Sequence, residues 1–140
     1  MNRTIYPCLW FNGQAKEAAA FYCSIFKNAK ITVDTPMVVS FEINGTQFMG
    51  LNGGPNFKFN ESVSFVVECE TQEEIDHYWD ELMKGGEESM CGWLKDRYGV
   101  SWQIVPTVLA KLMGDPQRAG RVMQAFMKMK KFDIATLEKA

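Results

Sequence analysis

The sequence has a single histidine, no long apolar run and no surplus of basic residues, and each absence excludes a class of protein. Its 140 residues include 15 Lys and Arg against 17 Asp and Glu, which gives a net charge of −2. Proteins that bind duplex nucleic acid normally carry a basic surplus, so we expect no nucleic-acid partner. No apolar stretch approaches the roughly 18 residues that a membrane-spanning helix needs, so we expect no membrane partner.

Disulfides and secretion are also not expected. The four cysteines, Cys8, Cys23, Cys69 and Cys91, are widely spaced and include no Cys-x-x-Cys pair. Because 46% of the residues are hydrophobic, the chain can bury a core without covalent cross-links, and we expect reduced thiols. The first residues lack the basic-then-apolar pattern of a signal peptide, so we expect a cytoplasmic protein.

The first half of the chain predicts one strand, one helix and three further strands. The apolar run 5–11 predicts a strand, and the alanines and aromatics of 14–26 recur at helical spacing. The three further strands are predicted over 31–33, 37–43 and 46–51. Asn44-Gly45 joins the last two in a type I′ hairpin turn, because both residues tolerate a positive φ.

The second half repeats this order. Residues 63–69 predict a strand, and Thr71 with Glu74 predicts a capping box for a helix that ends before Gly85. Three short strands are predicted over 87–89, 90–95 and 100–105. Each half therefore has the predicted order β-α-β-β-β, which indicates an internal duplication.

Beyond Pro106 the pattern becomes helical. A short helix is predicted over 107–113, Asp115-Pro116 predicts the N-cap and first position of another, and Asp133 predicts the cap of a final turn. We expect an α+β fold with one domain over 1–106 and a C-terminal helical extension over 107–140. The domain would contain two βαβββ modules, over about 1–54 and 61–106.

Three segments of the sequence resemble a known family. They are Pro7–Gly13 with Phe21-Tyr22 downstream, Leu51–Asn60, and Cys91–Pro106. Together with the duplicated order, they resemble the PhnB-like, 3-demethylubiquinone-9 3-methyltransferase-like branch of the vicinal oxygen chelate superfamily, which includes glyoxalase I, extradiol dioxygenases and bleomycin-resistance proteins. The resemblance implies two modules side by side, each curving an open sheet around a small-molecule cavity, usually within a homodimer.

The resemblance also implies where a metal would be held. In metal-dependent relatives, the first and last strands of each module donate His, Glu or similar ligands to one divalent ion. With a slip of one residue allowed, those positions fall on Tyr6, Gly50, Ser64 and Gln103, none of which is a histidine or a carboxylate. We therefore expect no metal and no other cofactor. The single histidine, His77, lies opposite the apolar stripe of its helix and is expected at the surface.

Strand alternation selects candidates for a pocket that would bind a planar or hydrophobic small molecule. The candidates are Tyr6, Cys8, Trp10, Phe48, Asn52, Ser64, Trp93 and Gln103. Alternation places all of them except Trp93, and it also puts Ser101 on the same face as Gln103. Of the candidates, Tyr6, Trp10, Trp93 and Gln103 carry the aromatic and amide groups on which recognition would depend. The alternative is that this face is ordinary core. The polar, aromatic loop 56–60 is expected to be either a mobile lip over the cavity or a dimer contact.

The expected function is binding of a small organic molecule in this cavity without a catalytic metal, with catalysis left open. The alternatives are a metal-dependent enzyme of the glyoxalase or dioxygenase type, the 3-demethylubiquinone-9 3-methyltransferase activity of the family label, and a non-catalytic sequestering dimer similar to the bleomycin-resistance proteins. Gly53-Gly54-Pro55 does not support a Rossmann-type S-adenosylmethionine site, because no helix is predicted directly after it. Cys8 and Cys91 are expected to be buried, inert thiols, since no Cys–His pair is available.

Overall fold

The chain, described over residues 4–140 by a computed structural model, forms two compact units, one ending at Phe59 and one spanning Asn60–Ala140. The first unit contains, in chain order, β1 Cys8–Phe11, α1 Ala15–Ile25, β2 Ala29–Asp34, β3 Val38–Ile43 and β4 Thr46–Asn52. The second contains β5 Ser64–Cys69, α2 Gln72–Met83, β6 Glu87–Glu88, β7 Trp93–Lys95, β8 Ser101–Pro106, α3 Val108–Met113, α4 Ala119–Phe126 and α5 Ile134–Lys139. The α+β fold and the two βαβββ modules are confirmed.

The two sheets have the same topology. Their strand orders are β1-β4-β3-β2 and β5-β8-β7-β6. In each, the first strand of the module pairs in parallel with the last, and the other pairs are antiparallel. The internal duplication predicted from the sequence is therefore a duplication of topology.

In the first unit, α1 covers one face of the sheet. The helix buries Ala18, Ala19 and Tyr22, and β1 alternates so that Leu9 and Phe11 are buried as well. The predicted hairpin turn is present, with φ of 50° at Asn44 and 84° at Gly45. Removing this apolar surface from water stabilises the unit by about 25 cal/mol per Å² buried.

In the second unit, α2 starts as the sequence predicts. The side chain of Thr71 accepts a hydrogen bond from the Glu74 amide at 3.2 Å. The helix buries Ile75, Trp79 and Leu82 and packs on β7 and β8, whose buried side chains include Leu94, Trp102 and Ile104. The apolar stripe predicted for this helix is therefore its core face.

One strand is shorter than predicted. The sequence pattern predicts a strand over 90–95, whereas β7 spans Trp93–Lys95. The difference arises because Cys91 and Gly92 have φ of 58° and 82°, a left-handed conformation that a strand cannot contain.

The start of α4 also differs from the prediction. Asp115 and Pro116 form a turn before the helix, which starts at Ala119. The Asp115 carboxylate accepts from the Gln117 amide at 3.0 Å, and the Asp115 carbonyl accepts from the Arg118 amide at 3.0 Å. The aspartate therefore closes a turn where the sequence predicts a helix cap. At Asp133 the prediction is confirmed, since its side chain accepts from the Thr136 amide at 3.1 Å.

The C-terminal helices belong to the second unit. The Gln72 side chain holds the last segment from both sides, since its Nε2 donates to the Phe132 carbonyl at 3.0 Å and its Oε1 accepts from the Ile134 amide at 2.9 Å. The Gly92 amide donates to the Lys130 carbonyl at 2.8 Å. We expect this extension to contact a second copy of the chain, and that contact stays a prediction. No helix within residues 4–140 is long and apolar enough to cross a membrane.

Candidate functional site

Each sheet has a face covered by a helix and an opposite face, which we call the open face. In the first unit, the register of β1 and β4 pairs Cys8 with Met49 and Trp10 with Leu51. Because paired residues point to the same side of a sheet, these four side chains lie on the open face. Tyr6 precedes β1 in an irregular, exposed segment.

The same register corrects the expected positions of Phe48 and Asn52, which point to the helix side. Phe48 stacks on Phe41 with ring centroids 5.2 Å apart. The Asn52 side-chain Oδ1 accepts a hydrogen bond from the Ala15 backbone amide, at the start of α1, at 2.9 Å. The Asn52 Nδ2 donates to the Pro36 carbonyl at 3.0 Å. The prediction assumed a register between β1 and β4 that is wrong by one residue. In the actual register, Phe48 and Asn52 lie on the opposite face of the sheet from Cys8 and Trp10.

Trp10 holds the chain segment that follows β4. Its indole Nε1 donates to the Gly54 carbonyl at 2.9 Å, and a Cβ added at Gly53 would lie 2.3 Å from the indole ring. Phe57 packs edge-on against Trp10 with centroids 4.9 Å apart, and Phe59 packs on Phe11 at 5.4 Å. We call residues 53–59 the aromatic loop. The one polar atom of the Trp10 side chain is therefore bonded to this loop, whereas the sequence pattern predicts that it faces a ligand.

The open face of the second unit brings together three of the predicted site residues. The Gln103 Nε2 donates to the Ser64 Oγ at 2.9 Å, and Trp93 is the cross-strand partner of Gln103. Val66, on the other side of Gln103, leaves 55% of its surface exposed. Within residues 4–140, the side-chain Oε1 of Gln103 and the hydroxyl hydrogen of Ser64 have no hydrogen-bond partner. We call Ser64, Val66, Trp93 and Gln103 the Ser64–Gln103 face. It presents a hydrogen-bond donor, an acceptor, an indole and an exposed apolar side chain.

Sequence reasoning missed Lys95 on this face, and it placed Ser101 there without selecting it as a site residue. Ser101 is the register partner of both Ser64 and Lys95, so all three lie in one row beside Gln103. A cavity of about 130 Å³ opens there, and its lining includes Ser101, Lys95, Trp93 and Glu61. The signal was available, since Ser101 lies two residues before Gln103 on the same strand and shares its face.

An ion pair lies at this cavity. The Lys95 ammonium donates to the Glu61 carboxylate at 2.9 Å. That hydrogen bond is the main reason why the pKa of Glu61 is lowered and the pKa of Lys95 is raised, each relative to its ordinary value. Both groups are therefore charged at neutral pH.

The residues at the family's metal positions do not fit a divalent cation. A Cβ at Gly50 would lie 3.2 Å from the Ala15 Cβ and 3.1 Å from the Val39 carbonyl oxygen, so this position faces α1 and offers no ligand atom. Ser64 and Gln103 are neutral and bonded to each other. Over the described part of the chain, no three His, Cys, Asp or Glu side chains are grouped to hold a metal ion. His77 is exposed on α2, as predicted.

The cysteines do not resemble activated nucleophiles. Cys8 is exposed, which corrects the expectation that it is buried, yet partial desolvation raises the pKa of its thiol. Burial, with a contribution from Glu74, raises the pKa of Cys69 to about 11. Cys91 is half-buried, with its Sγ 3.9 Å from the Met127 Sδ. A nucleophilic cysteine normally has a lowered pKa, so Cys8 and Cys69 are poor candidates.

Comparison with known proteins identifies the family. The profile of the 3-demethylubiquinone-9 3-methyltransferase family matches residues 3–105. The chain belongs to this family. A PhnB protein from Bacillus cereus is 33% identical in sequence, with a TM-score of 0.69 over 75% of this chain and 100% of its own. Among curated proteins, none matches the sequence.

Two more distant structures share the fold. A fosfomycin resistance protein from Listeria monocytogenes, determined with Mn(II) and sulfate ion, is 16% identical, with a TM-score of 0.61 over 81% of this chain and 98% of its own. A glyoxalase-related enzyme from Fulvimarina pelagi is 13% identical, with a TM-score of 0.56 over 77% of this chain and 91% of its own. This PhnB-like family member therefore has the fold of the vicinal oxygen chelate superfamily, as its sequence predicts.

Proposed function

We propose that the chain binds a small organic molecule on the Ser64–Gln103 face without the help of a metal ion. The observation that carries the proposal is the hydrogen bond from Gln103 to Ser64 at 2.9 Å, at a place where a metal-dependent relative would hold its ion. The bond orients two polar side chains toward open space and leaves a donor and an acceptor without a partner among residues 4–140.

The neighbours of this pair favour a partly apolar ligand. Trp93 and the exposed Val66 flank Gln103 on either side in the sheet. Small-molecule sites in proteins are mostly apolar surfaces with a few placed polar groups that fix the orientation of the ligand. A planar, aromatic or quinone-like molecule with a carbonyl or hydroxyl group matches this combination.

Two alternative functions have less support from the residues. A metal-dependent glyoxalase or dioxygenase needs several His or carboxylate ligands, and the corresponding positions hold Gly50, Ser64 and Gln103. The methyltransferase named by the family would need a site for the methyl donor. Gly53-Gly54-Pro55 begins the aromatic loop, and the next regular element is β5 rather than the helix that a Rossmann-type site requires. A homodimer, a cytoplasmic location and the single domain over 1–106 stay predictions.

The proposal is tested with a thermal-shift screen of aromatic and quinone-like metabolites on the full chain. A ligand present at about 100 times its Kd stabilises the folded state by about 2.7 kcal/mol, which raises the Tm of a chain of this size by roughly 5 °C or more. In Gln103→Ala we expect the shift to fall by more than half, because the amide that recognises the ligand is gone.

Gln47→Ala is the matched control. Like Gln103, Gln47 is a half-buried glutamine on the open face of the last strand of its module, but that strand is β4 of the first unit. Its removal should leave the shift intact. The proposal is wrong if no compound shifts the Tm, if Gln47→Ala reduces the shift as much as Gln103→Ala, or if protein purified without chelator contains stoichiometric divalent metal.

A further inference from the structure

The strongest unexplained feature of the molecule is the hydroxyl of Ser101. The residue is 1% exposed, and within residues 4–140 its Oγ is the one buried side-chain nitrogen or oxygen without a hydrogen bond. Leaving such a group without a hydrogen bond destabilises the folded state, because its desolvation is not compensated. A polar ligand atom placed beside it would recover the lost free energy.

Ser101 lies on the wall of the 130 Å³ cavity next to the Ser64–Gln103 face. This volume is smaller than the roughly 300–1,000 Å³ of typical ligand pockets, so the cavity suits one end of a ligand. Trp93 belongs to both the cavity and the Ser64–Gln103 face. A ligand on that face can therefore place one end in this cavity.

The charges around the cavity determine which functional group is favoured. Glu61 is paired with Lys95 at 2.9 Å, and Glu88 with Lys130 at 3.5 Å. Glu87 also lines the cavity and interacts electrostatically with Lys95, but it forms no ion pair within 4.0 Å among the described residues. The carboxylate of Glu87 is therefore left with a negative charge that no ion pair balances. This charge disfavours binding of an anion and favours a cationic group with N–H donors.

We infer that this cavity is a subsite for the ammonium group of a small organic amine, an inference that rests on the proposed function. Once a small movement of the buried Ser101 side chain brings its Oγ to the cavity wall, the Oγ accepts one N–H. The Glu87 carboxylate balances the charge, and the indole of Trp93 attracts the cation by a cation–π interaction. The rest of the amine extends over the Ser64–Gln103 face. The ligand class is therefore a primary amine with an aromatic or apolar body.

The subsite is tested with ethylammonium chloride as the probe, added to the isotopically labelled full chain at constant ionic strength set with KCl. The Trp93 indole and Ser101 amide signals are followed by NMR. We expect saturable shifts with ethylammonium and none with sodium acetate. Affinity should fall at least fivefold in Ser101→Ala and in Glu87→Gln.

Two features keep the test interpretable. Ser101→Ala should fold at least as well as the wild type, because the hydroxyl makes no hydrogen bond to lose, and its Tm is measured in parallel. Glu81→Gln is the matched control, since Glu81 is paired with Lys84 on α2 and does not line the cavity. It should leave the affinity for ethylammonium unchanged.

The inference is overturned if ethylammonium has no more effect than KCl, if acetate binds equally well, or if Ser101→Ala binds the amine as tightly as the wild type. The first result would mean that water alone occupies the cavity. A metabolite whose binding depends on Gln103 but not on Ser101 or Glu87 would also overturn the ammonium subsite, and it would leave the proposed function standing.

Discussion

The two units have the same topology but use their open faces differently. In the first, the indole N–H of Trp10 is bonded to Gly54, and the aromatic loop packs against the ring. In the second, the indole of Trp93 makes no hydrogen bond among the described residues and lies beside the Ser64–Gln103 pair. The chain that follows the last strand differs accordingly, since it returns over Trp10 in the first unit and continues into helices tied to α2 in the second. The duplicated fold thus has one open face covered by its own aromatic loop and one open face on which we propose that a ligand binds.

The largest effect is expected where the second unit holds its C-terminal segment. In Gly92→Ala, the new Cβ would lie 2.4 Å from the Phe132 ring and 2.9 Å from the Ile104 carbonyl oxygen, at a residue with φ of 82°. Overpacking and a left-handed conformation together should lower the free energy of unfolding by about 3 kcal/mol or more. Urea denaturation of the full chain measures this loss.

Gly120→Ala is the control for that prediction. Gly120 is the second residue of α4 in the same unit, and a Cβ there would meet nothing within 4 Å. Because alanine favours a helix interior over glycine, this variant should be more stable by about 0.5–1 kcal/mol. Equal effects of the two substitutions, in either direction, would contradict the account of Gly92 as a packing position.

These details show which parts of the fold a sequence can give. The strand and helix order, the Asn44-Gly45 turn and the Thr71 cap depend on neighbours within a few residues, and the pattern predicts them correctly. The positions of Phe48 and Asn52 depend on the register between β1 and β4, strands that are far apart in the chain. No local period fixes that pairing. Alternation places Ser64 and Gln103 on one face of the second sheet, and the structure joins them by a hydrogen bond. Their role in binding a ligand stays a prediction.

A smaller effect separates the two open-face tryptophans. Trp10→Phe removes the hydrogen bond to the Gly54 carbonyl, so it should destabilise the first unit by about 1–2 kcal/mol. It should also raise the amide hydrogen exchange of the aromatic loop. Trp93→Phe should change stability by less than that and instead weaken ligand and amine binding on the second unit. Hydrogen exchange and the binding assays above, applied to both variants, measure the contrast.

The comparison between the units would fail if the two variants exchanged roles. An aromatic loop that stays protected in Trp10→Phe would show that the Gly54 bond does not hold it. Unchanged binding in Trp93→Phe would remove the indole from the site. Either result would mean that the open faces differ for a reason other than the hydrogen bonds of their tryptophans.

The smallest effect concerns the acid sensitivity of the C-terminal segment, which only the second unit carries. Hydrogen bonds from Gln72 and then from Lys131 lower the pKa of Asp76 below its ordinary value of 3.8. A carboxyl with a lowered folded-state pKa contributes stability that is present above the unfolded-state value and is lost as the pH falls through the folded-state value. Protection of the Ile134 amide, which donates to Gln72, should therefore decrease as the pH falls below 3.8.

Asp76→Asn isolates this contribution. It keeps an oxygen that accepts from Gln72 but removes the ion pair with Lys131, whose nitrogen lies 3.0 Å from the carboxylate. Because the pair is largely exposed, the loss at neutral pH should stay below about 1 kcal/mol, and the acid-dependent decrease in Ile134 protection should become shallower. Asp80→Asn, at an exposed position of the same helix, should keep the wild-type pH profile. Asp80→Asn could instead flatten that profile as much as Asp76→Asn. The acid sensitivity would then arise from the total charge on α2 and not from the Asp76–Lys131 contact.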